Sequence, residues 1–298
     1  MAMGVMALGA GASERRGAMA FHYASPLTPR QLAWYSRFDV LVTHDPLPAA
    51  QVAQLHARGT KLVLYEWAVA FYASLAAPWQ KQLIADRRGL LNARPLRGGL
   101  GAANADAWYY DPAAREHIEE RARFLAQKLR AINYDGVFLD TTTAESVHPD
   151  ALAEYKLRHP DVSYDAAFAR FMKSLRSQVG VIVTNQGYRA PASLLPWADY
   201  DVSESLITHP VAGRYVMRKN IDSLFRTLIA PAKKKYPRVR FIHLNYVDAL
   251  TPGEVEKIVR IARAHGDEAF VTLPTLAREG SDDDAYFRAI RLRRGPIP

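Results

Sequence analysis

The stretch YDGVFLD at residues 134–140 sets the interpretation of the whole chain. Val137, Phe138 and Leu139 form a short apolar run that is typical of a strand buried in a parallel sheet. Asp140 ends this run and is followed directly by three threonines. A carboxylate on the last residue of a buried strand predicts a functional group at the carboxyl-terminal edge of the sheet. The structural alternative for Asp140 is an N-cap on the segment that follows.

Segments of this kind recur along the chain. Short runs rich in β-branched and aromatic residues alternate eight times with amphipathic helical stretches. Alternation of strands and helices predicts an α/β protein, and eight units predict closure into a (β/α)8 barrel, the TIM-barrel fold. The predicted strands cover residues 19–24, 38–43, 61–66, 135–140, 180–185, 198–204, 239–245 and 268–273.

Several helix starts are marked in the sequence. Thr28-Pro29-Arg30-Gln31 places a capping hydroxyl before a proline at the first helical position and a glutamine at the third. Thr251-Pro252-Gly253-Glu254 repeats this pattern, which is typical of a capped helix N-terminus. Asp111-Pro112 is expected to begin a long helix, because apolar side chains then recur at helical spacing.

The length of 298 residues suits one barrel, which typically needs about 250 residues. We therefore predict a single barrel domain over residues 19–298. Residues 68–108 form a long insertion after the third strand, with a helix expected over 78–88 and a Gly/Ala-rich loop over 98–107. Long loops that follow barrel strands face the active-site end, so this insertion is expected to shape the site.

The N-terminal residues 1–18 are expected to lie outside the barrel, as a disordered leader or an expression remnant. Small apolar residues come first and Arg15 and Arg16 come later, whereas a secretory signal has the opposite order. The location therefore stays open. A degenerate signal would place the protein outside the cell or in the cell envelope, and otherwise it would be cytoplasmic.

The composition excludes several classes of protein. There is no cysteine, which rules out disulfides, thiolate metal sites and thiol catalysis. No apolar run approaches the ~20 residues of a membrane span. The net charge is +9. The chain has two basic clusters, Lys233–Lys235 with Arg238 and Arg240, and Arg291 with Arg293 and Arg294. They are interpreted as a solvated helix face and tail, because no nucleic-acid-binding motif accompanies them. We expect a monomer that does not bind nucleic acid.

The predicted strand ends carry polar, aromatic and acidic side chains, although the chain as a whole is basic. In a barrel of this type the functional groups lie at these ends. The set comprises His22, Tyr23, Thr43, His44, Asp45, Tyr65, Glu66, Trp67, Asp140, Asn185, Glu204, Asn245, Tyr246 and Thr272.

Asp140 and Glu204 would stand on strands four and six, on opposite sides of one narrow mouth. Glutamate is a poor β-former, so Glu204 at a strand end points to function; an exposed or salt-bridged loop residue is the alternative. Cleavage of a glycosidic bond needs two carboxylic groups in this arrangement. They lie about 5–5.5 Å apart in retaining enzymes and about 6.5–9.5 Å apart in inverting ones.

A second group of strand-end residues is expected to bind sugar. Asn185 offers an amide for a sugar hydroxyl, although an asparagine this close to Gly187 also suits a turn. Aromatic side chains clustered at strand ends favour stacking on sugar rings. The predicted substrate-binding residues are Tyr23, Asp45, Glu66, Trp67, Tyr109, Asn185, Tyr188, Asn245 and Tyr246.

We expect neither a metal nor a cofactor. His22, His44 and His243 match no zinc-binding spacing, and His243 is interpreted as an ordinary strand residue. The sequence has no phosphate-binding loop, no Gly-x-Gly-x-x-Gly after a strand and no Gly-x-Ser-x-Gly.

Three segments carry a resemblance to a known family. Residues 134–140, 184–187 and 202–206 resemble strand-end motifs of glycoside hydrolase family 114, the endo-α-1,4-polygalactosaminidases, which are (β/α)8 barrels. A looser group of glycoside-hydrolase-like barrel proteins is similar to about the same degree. The resemblance implies a retaining hydrolase with Asp140 as nucleophile and Glu204 as general acid/base.

The same resemblance implies that Asn185 and Tyr246 contact the substrate. It is incomplete after Asp140, where a further acidic residue is expected but residues 141–143 are all threonine. A cationic amino-sugar polymer would favour extra carboxylates, so this departure bears on the substrate more than on the hydrolase class.

The sequence therefore predicts a glycoside hydrolase that cleaves a polysaccharide or oligosaccharide, with an α-1,4-linked amino-sugar polymer as one option. Two alternatives remain open at this point. One is a barrel that binds carbohydrate without turnover. The other is a different barrel enzyme that uses a metal at Asp140 and neighbouring carboxylates.

Overall fold

The computed structural model describes residues 16–97, 106–276 and 286–287. Eight parallel strands form one sheet, and each strand pairs with the next barrel strand along the chain. The predicted (β/α)8 barrel is therefore confirmed. The strands are β1 Gly17–His22, β2 Phe38–Thr43, β3 Lys61–Trp67, β4 Gly136–Asp140, β5 Val181–Asn185, β6 Tyr200–Glu204, β7 Arg240–Tyr246 and β8 Glu268–Thr272.

The first and last strands lie side by side, so the sheet nearly closes. The ring centroids of Phe21 in β1 and Phe270 in β8 are 5.7 Å apart. The backbone N–H of Ala18 donates to the carboxylate of Glu268 at 3.0 Å. Phe21 also packs edge-on against Phe138 of β4, so aromatic rings fill the interior of the barrel below the strand ends.

Helices cover the outside of the barrel. A π-helical turn, Glu116–Arg121, leads into α4, and another, Phe225–Ile229, joins α8 to α9. Short 3-10 turns cover Ala73–Leu75, Ala144–Ser146, Gly187–Arg189 and Leu195–Trp197. The α-helices are α1 Pro29–Tyr35, α2 Ala49–Ala57, α3 Pro78–Asp86, α4 Ala122–Ala131, α5 Pro149–Arg158, α6 Tyr164–Arg176, α7 Pro191–Leu194, α8 Ile221–Leu224, α9 Ala230–Lys235 and α10 Pro252–Ala264.

Two of the three predicted helix starts are confirmed. The Thr28 hydroxyl accepts a hydrogen bond from the backbone N–H of Gln31, and the side-chain oxygen of Gln31 accepts one from the backbone N–H of Thr28. The Thr251 hydroxyl caps α10 by accepting from the backbone N–H of Glu254, and it donates to the Glu254 carboxylate at 2.8 Å. The third start was wrong by several residues, because Asp111 instead accepts from the backbone of Ala113 in a turn that precedes the helix.

The insertion after β3 builds a small sheet of its own. Strand Asp106–Tyr109 lies between strands Ala70–Tyr72 and Leu96–Arg97, and all pairs are antiparallel. Helix α3 confirms the helix predicted there, whereas Asp106 and Ala107 belong to a strand rather than to the predicted loop. The rest of that loop, residues 98–105, lies outside the described residues. A second insertion, not predicted, is an antiparallel hairpin of Thr208–Val211 and Arg214–Met217 directly after β6.

The barrel begins slightly earlier than predicted. Strand β1 starts at Gly17, and Ala18 is buried within it. Arg16 forms an ion pair with Asp39 at 3.0 Å, so it also belongs to the fold. The predicted boundary at residue 18 therefore has to move, because these residues contact the neighbouring strand; residues 1–15 lie outside the described residues.

The two basic clusters differ in what the structure shows of them. The Lys233 ammonium contacts the carboxylate of Asp267 and the carbonyl oxygen of His265, so this lysine is not part of a solvated face. Lys234 and Lys235 are exposed, as expected. The arginines of the C-terminal cluster lie outside the described residues. Within the described part of the chain, no helix has the length and apolar character needed to cross a bilayer.

Gly136 explains how β4 can approach β5 so closely. A Cβ atom at this position would lie 2.0 Å from the carbonyl oxygen of Val181 and 2.6 Å from its Cβ. Real side-chain atoms do not come this near a backbone oxygen, so only glycine fits at the start of the strand that ends in Asp140.

We predict that Gly136→Ala lowers the free energy of unfolding by about 3 kcal/mol or more, because β4 and β5 must separate to admit the methyl group. Gly253→Ala is the matched control, since nothing lies within 4 Å of a Cβ atom there. That variant should be neutral or more stable by up to about 1 kcal/mol. Guanidinium unfolding measures both, and equal effects would contradict the packing argument.

Candidate active site

Three neighbouring strands bring three polar side chains together at the barrel mouth. Asp140, Asn185 and Glu204 are the last residues of β4, β5 and β6. The amide nitrogen of Asn185 donates to Asp140 Oδ1 at 2.7 Å and to Glu204 Oε2 at 3.0 Å. These two distances limit the separation of the two acceptor oxygens to about 5.7 Å. The carboxylates predicted from the strand ends therefore face each other across one amide group.

Asp140 is surrounded by hydrogen-bond donors. The Tyr65 hydroxyl donates to Asp140 Oδ2 at 2.5 Å, and the indole N–H of Trp67 donates to the Tyr65 oxygen at 2.5 Å. The backbone N–H of Thr141 donates to Oδ1 at 2.7 Å. Together with Asn185, this gives Asp140 three donors, which stabilise negative charge on its oxygens.

Glu204 has fewer donors. The Tyr246 hydroxyl donates to Glu204 Oε1 at 2.8 Å, and Asn185 provides the other hydrogen bond. Burial raises the pKa of Tyr246, and the negative charge of Glu204 adds to this effect. Burial likewise raises the pKa of Tyr23, with further contributions from Asp140 and Glu204. Both phenols therefore stay protonated and remain donors near the carboxylates.

The residue after each of these strand ends has a left-handed backbone conformation. The φ angles are 54° at Thr141, 56° at Gln186 and 57° at Ser205. Such conformations are unfavourable for residues other than glycine and cluster at functional sites. At each strand end, this conformation comes immediately after the polar side chain. The strain thus lies at the three positions that aim Asp140, Asn185 and Glu204.

A buried carboxyl group supports the Asn185 loop from behind. Asp201 accepts hydrogen bonds from the Thr184 hydroxyl at 2.8 Å and from the backbone of Gly187 at 2.7 Å and Tyr188 at 2.9 Å. Burial raises the pKa of Asp201 to about 7, although these three hydrogen bonds act in the opposite direction. A Cβ at position 187 would lie 2.8 Å from Asp201 Oδ1, so the tight turn requires glycine.

Several aromatic side chains pack together on the Asp140 side of the barrel mouth. The ring centroid of Tyr23 lies 5.4 Å from those of Tyr65 and His44, and His44 and Tyr65 are 5.3 Å apart. Trp67 packs edge-on against Tyr72 with 3.8 Å between centroids. Clustered rings of this kind give apolar faces that suit the faces of sugar rings.

The predicted binding residues divide into two groups. Asn185, Tyr246, Trp67 and Tyr23 lie beside the carboxylate pair, through the contacts given above. Glu66 does not, because it points outward and forms a salt bridge with Lys128 of α4 at 2.5 Å.

Asn245 also has a different place from the one predicted. It is fully buried, and its amide oxygen accepts from the backbone N–H of Ile207 at 2.9 Å and of Thr208 at 3.0 Å. The cause is the same as for Glu66: successive side chains of a strand point to opposite faces. Trp67 and Tyr246 face the mouth, so their neighbours Glu66 and Asn245 face away from it.

Three further predicted residues make no contact with either carboxylate among the described residues. The Asp45 side chain is 63% exposed on the rim, where it contacts His44 at 3.2 Å. Tyr109 is buried in the inserted sheet, and burial raises its pKa to about 12. Tyr188 is buried in the turn that Asp201 holds.

Sequence reasoning missed two residues of this region. Tyr65 was among the strand-end side chains but was not chosen as a site residue. Strand alternation could have selected it, since Tyr65 and Trp67 share one face of β3. Asp201 lies in mid-strand on the outward face, and no local pattern distinguishes it from a surface aspartate.

The histidines do not form a metal site. Across the described ranges, no group of three or more potential ligands could hold a metal ion. His22 is buried, pairs with the Tyr35 hydroxyl at 3.0 Å, and has its pKa lowered to about 4 by burial. His243 lies on the outward face of β7, between Ser203 and Asp267.

Comparison with protein-family models and with curated proteins finds no match to this chain. Comparison with solved structures finds the same fold in several proteins. The glycoside hydrolase domain of PelA from Pseudomonas aeruginosa is 23% identical with a TM-score of 0.65, over 89% of this chain and 97% of that one. Ega3 of Aspergillus fumigatus, in complex with galactosamine, is 11% identical with a TM-score of 0.54, over 89% and 93%.

A third similar structure is TtGalA, an α-galactosidase from Thermus thermophilus. It is 17% identical with a TM-score of 0.54, over 95% of this chain and 63% of that one. At these identities the likeness shows a shared barrel. The fold resemblance to glycoside hydrolase structures thus agrees with the fold inferred from the strand-end motifs.

Because the pKa of Asp201 is raised from 3.8 to about 7, the folded chain binds this proton more tightly than the unfolded chain. The stability that Asp201 contributes should therefore fall as the pH rises from about 4 to above 7, by an amount on the order of 2–4 kcal/mol. We predict that Asp201→Asn removes this part of the pH dependence. Guanidinium unfolding at about pH 5 and pH 8 measures it.

The control is Asp161→Asn, which changes an exposed carboxylate and should leave the pH dependence of stability as it is in the wild type. If Asp201→Asn also left it unchanged, the buried carboxyl would be ionised throughout this range and the raised pKa would be wrong.

Proposed function

We propose that the protein is a glycoside hydrolase that cleaves an oligosaccharide or polysaccharide by a retaining mechanism. The observation that carries this proposal is the single amide nitrogen of Asn185 shared by Asp140 and Glu204. It limits their facing oxygens to about 5.7 Å. That separation is close to the retaining range of about 5–5.5 Å and shorter than the inverting range of about 6.5–9.5 Å.

In the first step, Asp140 attacks the anomeric carbon and forms a glycosyl ester. The glycosidic C–O bond breaks, and the leaving oxygen takes the proton of Glu204. In the second step, Glu204 removes a proton from water. The water oxygen then bonds to the anomeric carbon, the ester bond breaks, and Asp140 is released as a carboxylate. No metal or cofactor enters this sequence.

The hydrogen bonds support this division of roles. Asp140 receives donors from Tyr65, Asn185 and Thr141, which hold its oxygens in a fixed orientation, as a nucleophile needs. Glu204 receives two, from Asn185 and Tyr246. Fewer donors suit a group that alternates between its acid and its carboxylate in successive steps.

For the substrate, we propose testing α-1,4-linked amino-sugar polymers first. The motif resemblance supports this choice, as does the galactosamine held by the similar Ega3 structure. The net charge of +9 and the run of threonines after Asp140 weigh against a strongly cationic polymer. Galactans and glucans therefore belong in the same substrate panel.

The alternative of a barrel that only binds carbohydrate would be favoured by carboxylates more than about 10 Å apart, beyond the inverting range. The shared amide of Asn185 keeps them much closer. Turnover of a polysaccharide panel decides between the two functions.

We predict that Asp140→Asn and Glu204→Gln each lower kcat at least about 1000-fold on any polymer that the wild type hydrolyses. Thermal unfolding should show that both variants fold. Asp45→Asn and Glu66→Gln are matched controls, because these carboxylates lie away from the pair and should keep wild-type turnover. Full activity in either Asp140→Asn or Glu204→Gln would remove that residue from the mechanism.

The two roles can be separated with an activated aryl glycoside. Glu204→Ala should still form the glycosyl ester, because a good leaving group needs no proton, and added azide should give a glycosyl azide of retained configuration. Asp140→Ala should form neither. A product of inverted configuration from the wild type would refute the retaining mechanism.

Tyr65→Phe should lower kcat about 10- to 100-fold with little change in KM, because Asp140 loses one of its three donors and Trp67 loses its acceptor. Tyr155→Phe, which removes an equally local hydrogen bond to the carbonyl of Val162, is the control. A kcat of Tyr65→Phe equal to that of the wild type would show that the phenol does not position Asp140.

A further inference from the structure

The unpredicted hairpin after β6 stands next to the proposed acid/base. Its strands, Thr208–Val211 and Arg214–Met217, begin four residues after Glu204. They pair in antiparallel register, with Tyr215 opposite Pro210. A two-stranded hairpin is only marginally stable alone, so what holds it determines how well it can present a side chain.

The hairpin is fixed to the end of β7 at both of its strands. At its foot, the buried Asn245 binds the backbone of Thr208, and the Thr208 hydroxyl donates to the carbonyl oxygen of Tyr246 at 2.8 Å. On the returning strand, the backbone N–H of Tyr215 donates to the carboxylate of Asp248 at 3.1 Å. Such anchoring suits a preformed binding surface.

Tyr215 lies directly outside the Glu204 site. Its ring packs on that of Tyr246, with 5.4 Å between centroids and 49° between planes. Tyr246 in turn donates to Glu204 at 2.8 Å. Burial is the main cause of the raised pKa of Tyr246, and Glu204, Tyr23 and Tyr215 add to it in that order. The Tyr215 phenol therefore lies close enough to Tyr246 to contribute to its raised pKa.

The position of Tyr215 beside the proposed general acid bears on where the departing sugar binds. A general acid must lie beside the oxygen that it protonates, so the departing sugar sits on the Glu204 side of the cleft. Tyr215 is half-buried and still accessible, whereas Val216 and Arg214 point to the opposite, exposed face of the hairpin. An accessible ring in this place matches the apolar face of a pyranose.

We propose that Tyr215 is the stacking platform for the sugar ring on the leaving-group side of the scissile bond. This rests on the proposed glycosidase function and deepens it. The ligand class is a pyranose that is part of an oligosaccharide or polymer. A merely structural Tyr215 would only hold the hairpin against Tyr246.

Binding to an inactive background tests this without relying on proton transfer. We compare Glu204→Gln with Glu204→Gln/Tyr215→Ala by calorimetry, using an oligosaccharide of the polymer that the panel identifies. The expected result is a Kd raised at least about tenfold by loss of the ring. Tyr215→Phe should restore the affinity, and Val216→Ala on the other face of the hairpin is the control and should not change it.

Kinetics with two leaving groups provide the second readout in otherwise wild-type protein. The substrates are the same oligosaccharide and the glycosyl fluoride of the same sugar and anomer, whose leaving group has no ring. Tyr215→Ala should lose at least about tenfold more kcat/KM on the oligosaccharide than on the fluoride.

An unchanged Kd in the Glu204→Gln background, or equal kinetic losses on both substrates, would overturn the platform assignment while leaving the hydrolase function in place. Wild-type protein that hydrolyses neither substrate would instead refute the proposed function, and the platform with it. The two failures are therefore distinguishable.

Discussion

The structure of the barrel mouth depends on one side-chain amide whose two N–H groups both donate hydrogen bonds. Asn185 donates one to Asp140 and the other to Glu204. Two carboxylates this close repel each other, and a shared donor offsets part of that repulsion. The arrangement requires β4, β5 and β6 to end at one level, with β4 drawn against β5. Gly136 permits that approach, and the buried Asp201 keeps the loop after Asn185 in position.

Much of the barrel fold and of the candidate site could be predicted from the sequence. Strand-helix alternation is repeated eight times, so the barrel does not depend on any single segment, and parallel strands bring their final residues to one rim. Asp140, Asn185 and Glu204 could be selected on that basis. Two of the misplaced residues, Glu66 and Asn245, have a common cause. Where two adjacent residues were both taken, as with Glu66 and Trp67, strand alternation allows only one to face the mouth.

What could not be predicted depends on partners far away in sequence. Asp201 looks like a surface aspartate until the turn at Gly187 folds onto it. The hairpin after β6 has exposed valines and no strong turn signal, and it forms because Asn245 and Asp248 bind the backbone of Thr208 and of Tyr215. The ion pair with Asp39 likewise makes Arg16 part of the fold, although the residues around Arg16 in the sequence resemble a leader segment.

The left-handed conformations at Thr141, Gln186 and Ser205 bear on how such a protein could be improved. Replacing these residues with glycine or asparagine would relax the backbone and make the barrel more heat-resistant. The same relaxation would loosen the aim of the side chain that precedes each turn. Thermal stability and the rate of the proposed reaction are thus opposed at three identifiable positions, so stabilising substitutions are better placed elsewhere on the barrel.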